Sequence, residues 1–387
     1  MSGKSTSLPK QVITAPGYSR LKGLSVQVQP RMVDLFSGCG GFALGARAAG
    51  FGPELGFDVD PILTSSFSTN FPDSTFVPGD LSTATGKDIL NLAGGEVLGV
   101  FGGPPCQAFS DIGHRKVDDP RRDLLDHFFR LVAEISPAFF VMENVKGLGY
   151  ADAKPVLDAA MERVAGKYDL LGPVLLDAAD FGAATKRRRL FVIGVDPDRC
   201  DPITLADLEG AKIPAATVAD AIADLSFAVE CEQDQGFDVW QLPPSDTSNF
   251  YRDQLLARDA KFTGHRKTAH TDVVIERFHK VAQGGVDVIG RHPRLAWDGQ
   301  CPTLRAGTGS DRGSFQSVRP IHPTEPRVIT VREGARLQGF PDDFRFHPTV
   351  WHSFRMIGNS VSPIISKAIF SLLATRTDRG RLPITAE

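Results

Sequence analysis

No stretch of the chain approaches the roughly 18 consecutive apolar residues of a membrane-spanning helix, and no charged-then-apolar leader opens it. Neither a membrane span nor a secretory signal is therefore expected, and a cytoplasmic protein is the corresponding expectation. Cysteine is scarce. The five present (Cys39, Cys106, Cys200, Cys231, Cys301) are odd in number, widely spaced and without a CxxC pair, which excludes a disulfide framework and a zinc site and leaves reduced thiols and no metal. Excess charge of one sign is also lacking. With 43 Lys and Arg against 46 Asp and Glu the net charge is −3, so contact with nucleic acid must rest on local charge. No internal repeat is visible.

What remains is an ordinary globular composition, 42% hydrophobic and 23% charged, over 387 residues, enough for two domains and a large core. The chain is organised around Gly102-Gly103-Pro104-Pro105-Cys106-Gln107-Ala108-Phe109-Ser110, which comes directly after the apolar run Val97 to Phe101. That run reads as a buried strand. Prolines fix φ and glycines allow close backbone approach, so the thiol of Cys106 would leave the sheet edge at a fixed angle. A thiolate is a strong nucleophile when a cation or helix N-terminus lowers its pKa, and Arg187, Arg189 and the segment after Ser110 are candidates for that task. A buried packing cysteine is the alternative.

Residues 1–24 mix Ser, Gly, Lys and Pro without periodicity and read as a mobile leader. Met32 to Phe36 reads as a strand running into Ser37-Gly38-Cys39-Gly40-Gly41 and a helix from Phe42 to Ala49, the junction at which glycines let backbone N–H groups meet a nucleotide-type cofactor or simply make a tight turn. Glu54 to Asp60 reads as a second strand ending in acids about twenty residues beyond that loop, where Asp58 can accept both hydroxyls of a ribose and Asp60 can cap the next helix. Thr75-Phe76-Val77 leads to Asp80, suited to an adenine amino group or to a turn.

Beyond Cys106, residues 111–123 read as a basic mobile loop, Leu124 to Ile135 as an amphipathic helix, and Phe139 to Met142 as a strand with Glu143-Asn144-Val145 at its end. Glu143 would leave the sheet on the same edge as Cys106, as an acid or hydrogen-bond partner for a substrate, or else solvated. Further helix and strand are expected at Lys154 to Val164 and Leu190 to Gly194. Lys186, Arg187, Arg188 and Arg189 abut that last strand, and alternation sends Arg187 and Arg189 to one side.

Composition then shifts. Residues 198–250 carry eleven acids against two bases, whereas 251–325 carry twelve bases against eight acids, so a second domain is expected with its basic half as a candidate nucleic-acid surface. Loops rich in Gly, Arg and His there, including Lys267, Arg305 and Arg312, suit phosphates and base edges, or are plainly solvated. A helical pattern returns at Val331 to Gln338, and an apolar helix from Ile364 to Leu373 closes the chain.

Six motifs in this order resemble the cytosine-C5 DNA methyltransferases of bacterial type: Asp34 to Gly41, Gly103 to Gln107, Glu143-Asn144-Val145, Arg187 with Arg189, Arg336 to Pro341, and Gly358 to Val361. The resemblance covers about 30–195 and 327–374. It implies an α/β fold: a Rossmann-like S-adenosylmethionine methyltransferase sheet with helices on both faces, plus a smaller β- and loop-rich target-recognition domain. The corresponding division is 25–196 with 352–375 for catalysis and cofactor, 197–326 for recognition, 327–351 as hinge and connection, and 376–387 as tail. Phe36, Ser37, Gly38, Gly40, Gly41, Asp58, Val59, Asp80, Leu81, Pro104, Leu124, Asn359, Ser360 and Val361 would hold the cofactor. Gln107, Ser110, Lys186, Lys267, Arg305 and Arg312 would meet double-stranded DNA, with residues 111–122 closing over the target. One departure is Thr185, where the family usually has Gln; it puts a DNA or structural contact in question.

The resemblance also orders the chemistry. Cys106 would add to C6 of a flipped-out cytosine, Glu143 and Arg189 would stabilise the charged ring, and Arg187 would join the catalytic group. A tRNA cytosine-C5 methyltransferase and a catalytically silent DNA-binding regulator share parts of this pattern. The large insertion with basic loops favours duplex DNA, and intact Cys106, Glu143 and Arg189 favour activity. The enzyme is expected to act as a monomer in the bacterial cytosol or nucleoid, beside a restriction or defence protein.

Overall fold

Short apolar runs alternate with helical stretches through the first half of the chain, and the outcome is a layered α/β fold. The computed structural model describes residues 31–105, 123–234, 236–307 and 318–377. The first half alternates β1 (Arg31–Leu35), α1 (Gly41–Ala48), β2 (Gly52–Asp58), α2 (Phe67–Asn70), β3 (Thr75–Pro78), α3 (Gly86–Ala93), β4 (Gly99–Gly102), α4 (Asp123–Ile135), β5 (Phe139–Val145), α5 (Lys154–Met161), β6 (Asp169–Asp177) and β7 (Arg188–Val195). Then come α6 (Leu205–Gly210), α7 (Val218–Ile222), β8 (Val229–Asp234), β9 (Phe237–Gln241), α8 (Phe250–Asp253), β10 (Lys261–Thr263), α9 (Asp272–His279), α10 (Val331–Gln338), α11 (Val350–Asn359) and α12 (Pro363–Arg376).

Strands β1 to β7 form one sheet in the order β3-β2-β1-β4-β5-β7-β6, parallel except for β7, which runs antiparallel to both neighbours. The central strands are buried on both faces, which is why they read as unbroken apolar runs. Alternation splits them cleanly. Met32, Phe101, Phe139 and Val141 face α1 and α12, whereas Val33, Val100, Phe140 and Met142 face the layer of α3, α4 and α5. The chain reverses direction across the sheet between β1 and β4, so the segments leaving those two strands border a crevice at their C-terminal ends, the usual ligand position in open α/β sheets.

Helix α12 returns from the far end of the chain to lie on α1. A Cβ on Gly45 would sit 2.3 Å from the Ser366 side chain, so only glycine permits this approach, and Ser366 Oγ donates to the Phe42 carbonyl at 2.7 Å. The stretch Val350–Arg376 is, among the described residues, long and apolar enough by composition to cross a membrane, although charged and polar residues interrupt it. Its apolar window is 61% buried inside the protein, and extended backbone at Ser360 and Ser362 splits it into α11 and α12.

The segment after β7 carries a second, antiparallel sheet in the order β10-β9-β8; Leu255, Phe262 and Leu295 join the same core cluster that covers α1 and α12, while Phe278 and Ile321 belong to a small cluster of their own. Helix α10, in the stretch expected as a hinge, is buried at all eight residues. Thr330 and Glu333 close a reciprocal cap at its start and Gly339, at φ 95°, ends it. Two fully buried arginines hold it in place: Arg336 pairs with Asp342 and Asp224 at 2.7 and 2.6 Å, and Arg332 donates to the carbonyls of Thr263, Pro341 and Phe344.

Candidate active site

The loop leaving β1 is the first wall of the crevice. Phe36 adopts a left-handed φ of 64° and is half-buried, while Ser37 N–H donates to the Phe57 carbonyl and fixes the turn against β2. The glycines differ in what surrounds them. Gly38 (φ 51°) faces open space, but a Cβ on Gly40 would meet Phe71 at 2.2 Å and one on Gly41 would meet the Val361 carbonyl at 2.6 Å. Of the three, Gly38 therefore borders room for a ligand, whereas Gly40 and Gly41 admit Phe71 and the returning chain.

Asp58, at the end of β2, ties two loops together. Its carboxylate accepts from Gly38 N–H and from Asp60 N–H, both at 2.9 Å, and each oxygen keeps a lone pair for another donor. Burial pushes this carboxyl up, opposed by those backbone donors. Asp60 caps the next turn through Ile62 and Leu63 N–H and pairs with Arg355 at 3.0 Å. Val59 between them is 72% exposed, an apolar platform beside polar groups. Gly79 N–H donates to the Asp58 carbonyl, which brings Asp80 to the same edge; Asp80 is exposed, Leu81 buried and Leu124 half-buried.

Two polar atoms in this wall are buried without a hydrogen-bond partner among the described residues: Ser37 Oγ and Asp34 Oδ2. Asp34 was not singled out in the sequence. Burial, with Asp58 nearby, holds its carboxyl well above the usual range. Its sequence signal is an acid inside an apolar strand.

The second wall begins at β4. Gly102 lies so close to the Leu35 carbonyl that a Cβ would overlap it, and Gly103, Pro104 and Pro105 carry the chain out of the sheet. Asn144 Nδ2 braces that turn by donating to the Pro104 carbonyl at 3.1 Å. A Cβ on Gly103 would lie 3.2 Å from Glu143 Oε2, so this carboxyl stands directly beside the segment leading to Cys106. Cys106, Gln107, Ser110, residues 111–122 and Arg312 lie outside the described residues.

Glu143 and Arg189 meet through strand register. Glu143 is opposite Phe191 and Val145 opposite Arg189, so the two charged side chains are diagonal neighbours on one face of the β5–β7 pair. Arg189 Nε lies 2.9 Å from Glu143 Oε1. Burial raises the Glu143 carboxyl, and the charges of Arg189 and Arg187 partly oppose this.

Arg187 shares that side of the chain but does not pair with the carboxyl. Only 2% exposed, it donates to the carbonyls of Leu304 (3.2 Å), Gly358 (2.9 Å) and Ser360 (2.7 Å), and its Nε has no acceptor among the described residues. Thr185 is fully buried and donates to the Cys301 carbonyl at 3.1 Å, so the residue in place of the family's Gln makes a structural contact within the chain. Lys186 is exposed beside it. Arg305 is also exposed, while Lys267 is held by Glu325 at 2.7 Å. Asn359 is exposed, Ser360 half-buried and Val361 buried, where the returning chain touches the glycine loop. Cys39 is buried and its thiol is pushed up to about 12 by burial, which makes it unreactive near neutral pH. Among the described residues no group of His, Cys, Asp and Glu could hold a metal ion.

Residues 30–374 match the sequence model of the C-5 cytosine-specific DNA methylases. The chain is 40% identical over 368 residues to the type II methyltransferase M.XorII of Xanthomonas oryzae pv. oryzae, with 88% of this chain and 84% of that one covered. It is 31% identical to M.DdeI of Desulfomicrobium norvegicum, with 87% of each covered. Among solved structures, it matches a candidate DNA modification methyltransferase encoded within a prophage (E. coli) at TM-score 0.78 and 37% identity, over 90% of this chain and 99% of that one.

Proposed function

This chain belongs to the C-5 cytosine-specific DNA methylases, enzymes that methylate cytosine C5 in DNA, and we propose that it does so through a covalent Cys106 adduct with a flipped-out base in one specific duplex sequence. The observation that carries the proposal is the pair of buried Glu143 and half-buried Arg189 beside the Gly-Gly-Pro-Pro turn that leads to Cys106.

C5 of cytosine is a weak nucleophile, and it is unreachable inside a stacked duplex, so the base has to leave the helix first. The Cys106 thiolate attacks C6, the new C–S bond displaces the C5–C6 π electrons, and C5 becomes an enamine carbon. Negative charge develops on the ring. Glu143, whose carboxyl burial raises towards the protonated form, would share a proton with N3, and Arg189 holds Glu143 in place and offers positive charge at O2. After methylation a base removes the C5 proton, and the electron pair of that C–H bond restores the double bond as the thiolate departs.

S-adenosylmethionine supplies the electrophilic methyl group when bound. The first wall fits it: Asp58 has free lone pairs for the ribose hydroxyls, Phe36 and Val59 offer apolar faces to adenine, Asp80 an acceptor for its amino group, and Gly38 the open space. Buried, partnerless Ser37 Oγ and Asp34 Oδ2 await polar groups.

Residues 197–326 serve recognition in this proposal, with Lys186, Lys267, Arg305 and Arg312 toward the DNA, in a cytoplasmic monomer. Relatives named as type II methyltransferases favour DNA over tRNA and a modification role beside a cognate nuclease. Bisulfite sequencing of DNA from cells expressing the protein tests this: one protected sequence is expected, lost in Cys106→Ala. Random protection, or none, contradicts it.

A further inference from the structure

Among the described residues Arg187 makes no salt bridge; its charge reaches Glu143 only from a distance. Its three hydrogen bonds among those residues go to backbone carbonyls, and they join parts of the chain that are far apart in sequence: Leu304 at 117 residues and Gly358 at 171. A buried guanidinium with carbonyl partners and a bare Nε is costly to keep unless it fixes something.

What it fixes is a junction. A Cβ on Gly358 would lie 2.2 Å from Ala306 N and 2.4 Å from the Arg305 carbonyl carbon, so the backbone at 305–306 is pressed onto α11 where Arg187 binds. Two residues on, Ser360 and Val361 press against Gly41 of the glycine loop, with 2.6 Å from the Val361 carbonyl to a Cβ there. Gln338 Nε2 donates to the Ser360 carbonyl from α10, and Ser362 Oγ returns a bond to the Gln338 carbonyl, so this strip has little freedom of its own. A continuous line of contact therefore runs from Gly41 through Ser360 and Gly358 to Ala306 and Arg305, and Arg187 clamps its middle.

We infer that Arg187 is a positioning residue that couples occupancy of the glycine loop to the order of residues 303–307, so that the bound cofactor helps set Arg305 for DNA. The inference rests on the cofactor site proposed above. Ligand bound at 36–41 restrains 360–361; Arg187 then passes the restraint to Leu304 through hydrogen bonds made by one rigid guanidinium plane.

Hydrogen exchange of the full-length protein, with and without S-adenosylhomocysteine, tests it. In the wild type the ligand is expected to slow exchange at 36–41 and 358–361, and also at 303–307 by at least about fivefold, the low end of coupling between sites. Arg187→Met keeps the side-chain volume and removes the donors; it is expected to retain protection at 36–41 and lose it at 303–307, with Arg187→Lys between the two. A purely structural Arg187 would lower the melting temperature and leave the ligand-dependent change at 303–307 intact. That result, or no such change in the wild type, overturns the inference. Where Arg187→Met does not fold, Arg187→Lys carries the comparison: partial loss of the change at 303–307 is expected, and full retention overturns the inference. Absence of protection everywhere, including 36–41, instead refutes the cofactor site and removes the inference with it.

Discussion

Arg189 Nε sits 2.9 Å from Glu143 Oε1 across the antiparallel β5–β7 pair, while Arg187, two residues earlier, turns away to three carbonyls. Two arginines from one basic run thus do different work. One holds the buried acid in place and partly opposes the effect of its burial; the other binds backbone.

Glu143 provides a pH prediction. Its folded carboxyl keeps its proton to higher pH than in the unfolded chain, because burial outweighs the arginines. Ionisation therefore costs stability as pH rises from the ordinary carboxylate range through the raised folded value, and the cost is absent below that window. Denaturant melts of Glu143→Gln and wild type should agree at low pH and separate above it, with the variant the more stable. Turnover by Glu143→Gln should fall about 10²–10⁴-fold, the size of a lost acid–base contribution. An unchanged rate would remove Glu143 from the mechanism.

Asp58→Ala should weaken S-adenosylhomocysteine binding by about 1.5–3 kcal/mol, the range for a charge-assisted hydrogen bond. Titration calorimetry reads this directly. Because Asp58 also restrains Gly38 and Asp60, Asp58→Asn should recover part of the affinity. Equal affinity in all three proteins would reject the ribose role.

Thr185→Val removes one donor from the Cys301 carbonyl, which still accepts from Lys186 N–H at 2.8 Å. The cost in stability should be modest, about 0.5–1.5 kcal/mol, with the methylated sequence unchanged. A shifted target site would return residue 185 to the DNA interface.

In the recognition segment, Arg305→Ala should lose about 1–3 kcal/mol of discrimination at one base pair if it reads a base edge. Lys267→Ala should weaken all sequences alike and flatten the salt dependence by about one counterion. Glu325 does not prevent this, since an exposed ion pair is worth about 0–1 kcal/mol and a phosphate can displace it. Competition binding across a library of duplexes separates the two kinds, and uniform weakening by Arg305→Ala would reassign it to the backbone.

The sheet was legible because its central strands are apolar on both faces, as at Val97 to Phe101 and Phe139 to Met142, and because glycine loops and acids mark strand ends. Glu143 was legible as an acid at such an end. The acceptors of Arg187 were not, because carbonyls over a hundred residues away leave no side-chain signature. Nor could the letters alone separate Gly38 from Gly40 and Gly41, which differ in backbone conformation and in what packs against them. The β8–β9 hairpin was hidden by its acids and a bulge between Glu230 and Glu232, which break the period-two pattern. Asp34 went unremarked because its partnerless oxygen is a property of the folded wall.

The most direct test of the covalent route uses duplex DNA with 5-fluorocytosine at the target, incubated with the protein and S-adenosylmethionine and run on a denaturing gel. Fluorine cannot leave C5 as a proton does, so the Cys106–C6 bond should persist and shift the protein band by the mass of the DNA. The shift should vanish in Cys106→Ala and survive in Cys39→Ala, whose buried thiol is protonated. A preparation that methylates ordinary DNA yet gives no shifted band, or a shift that survives Cys106→Ala, would contradict the account.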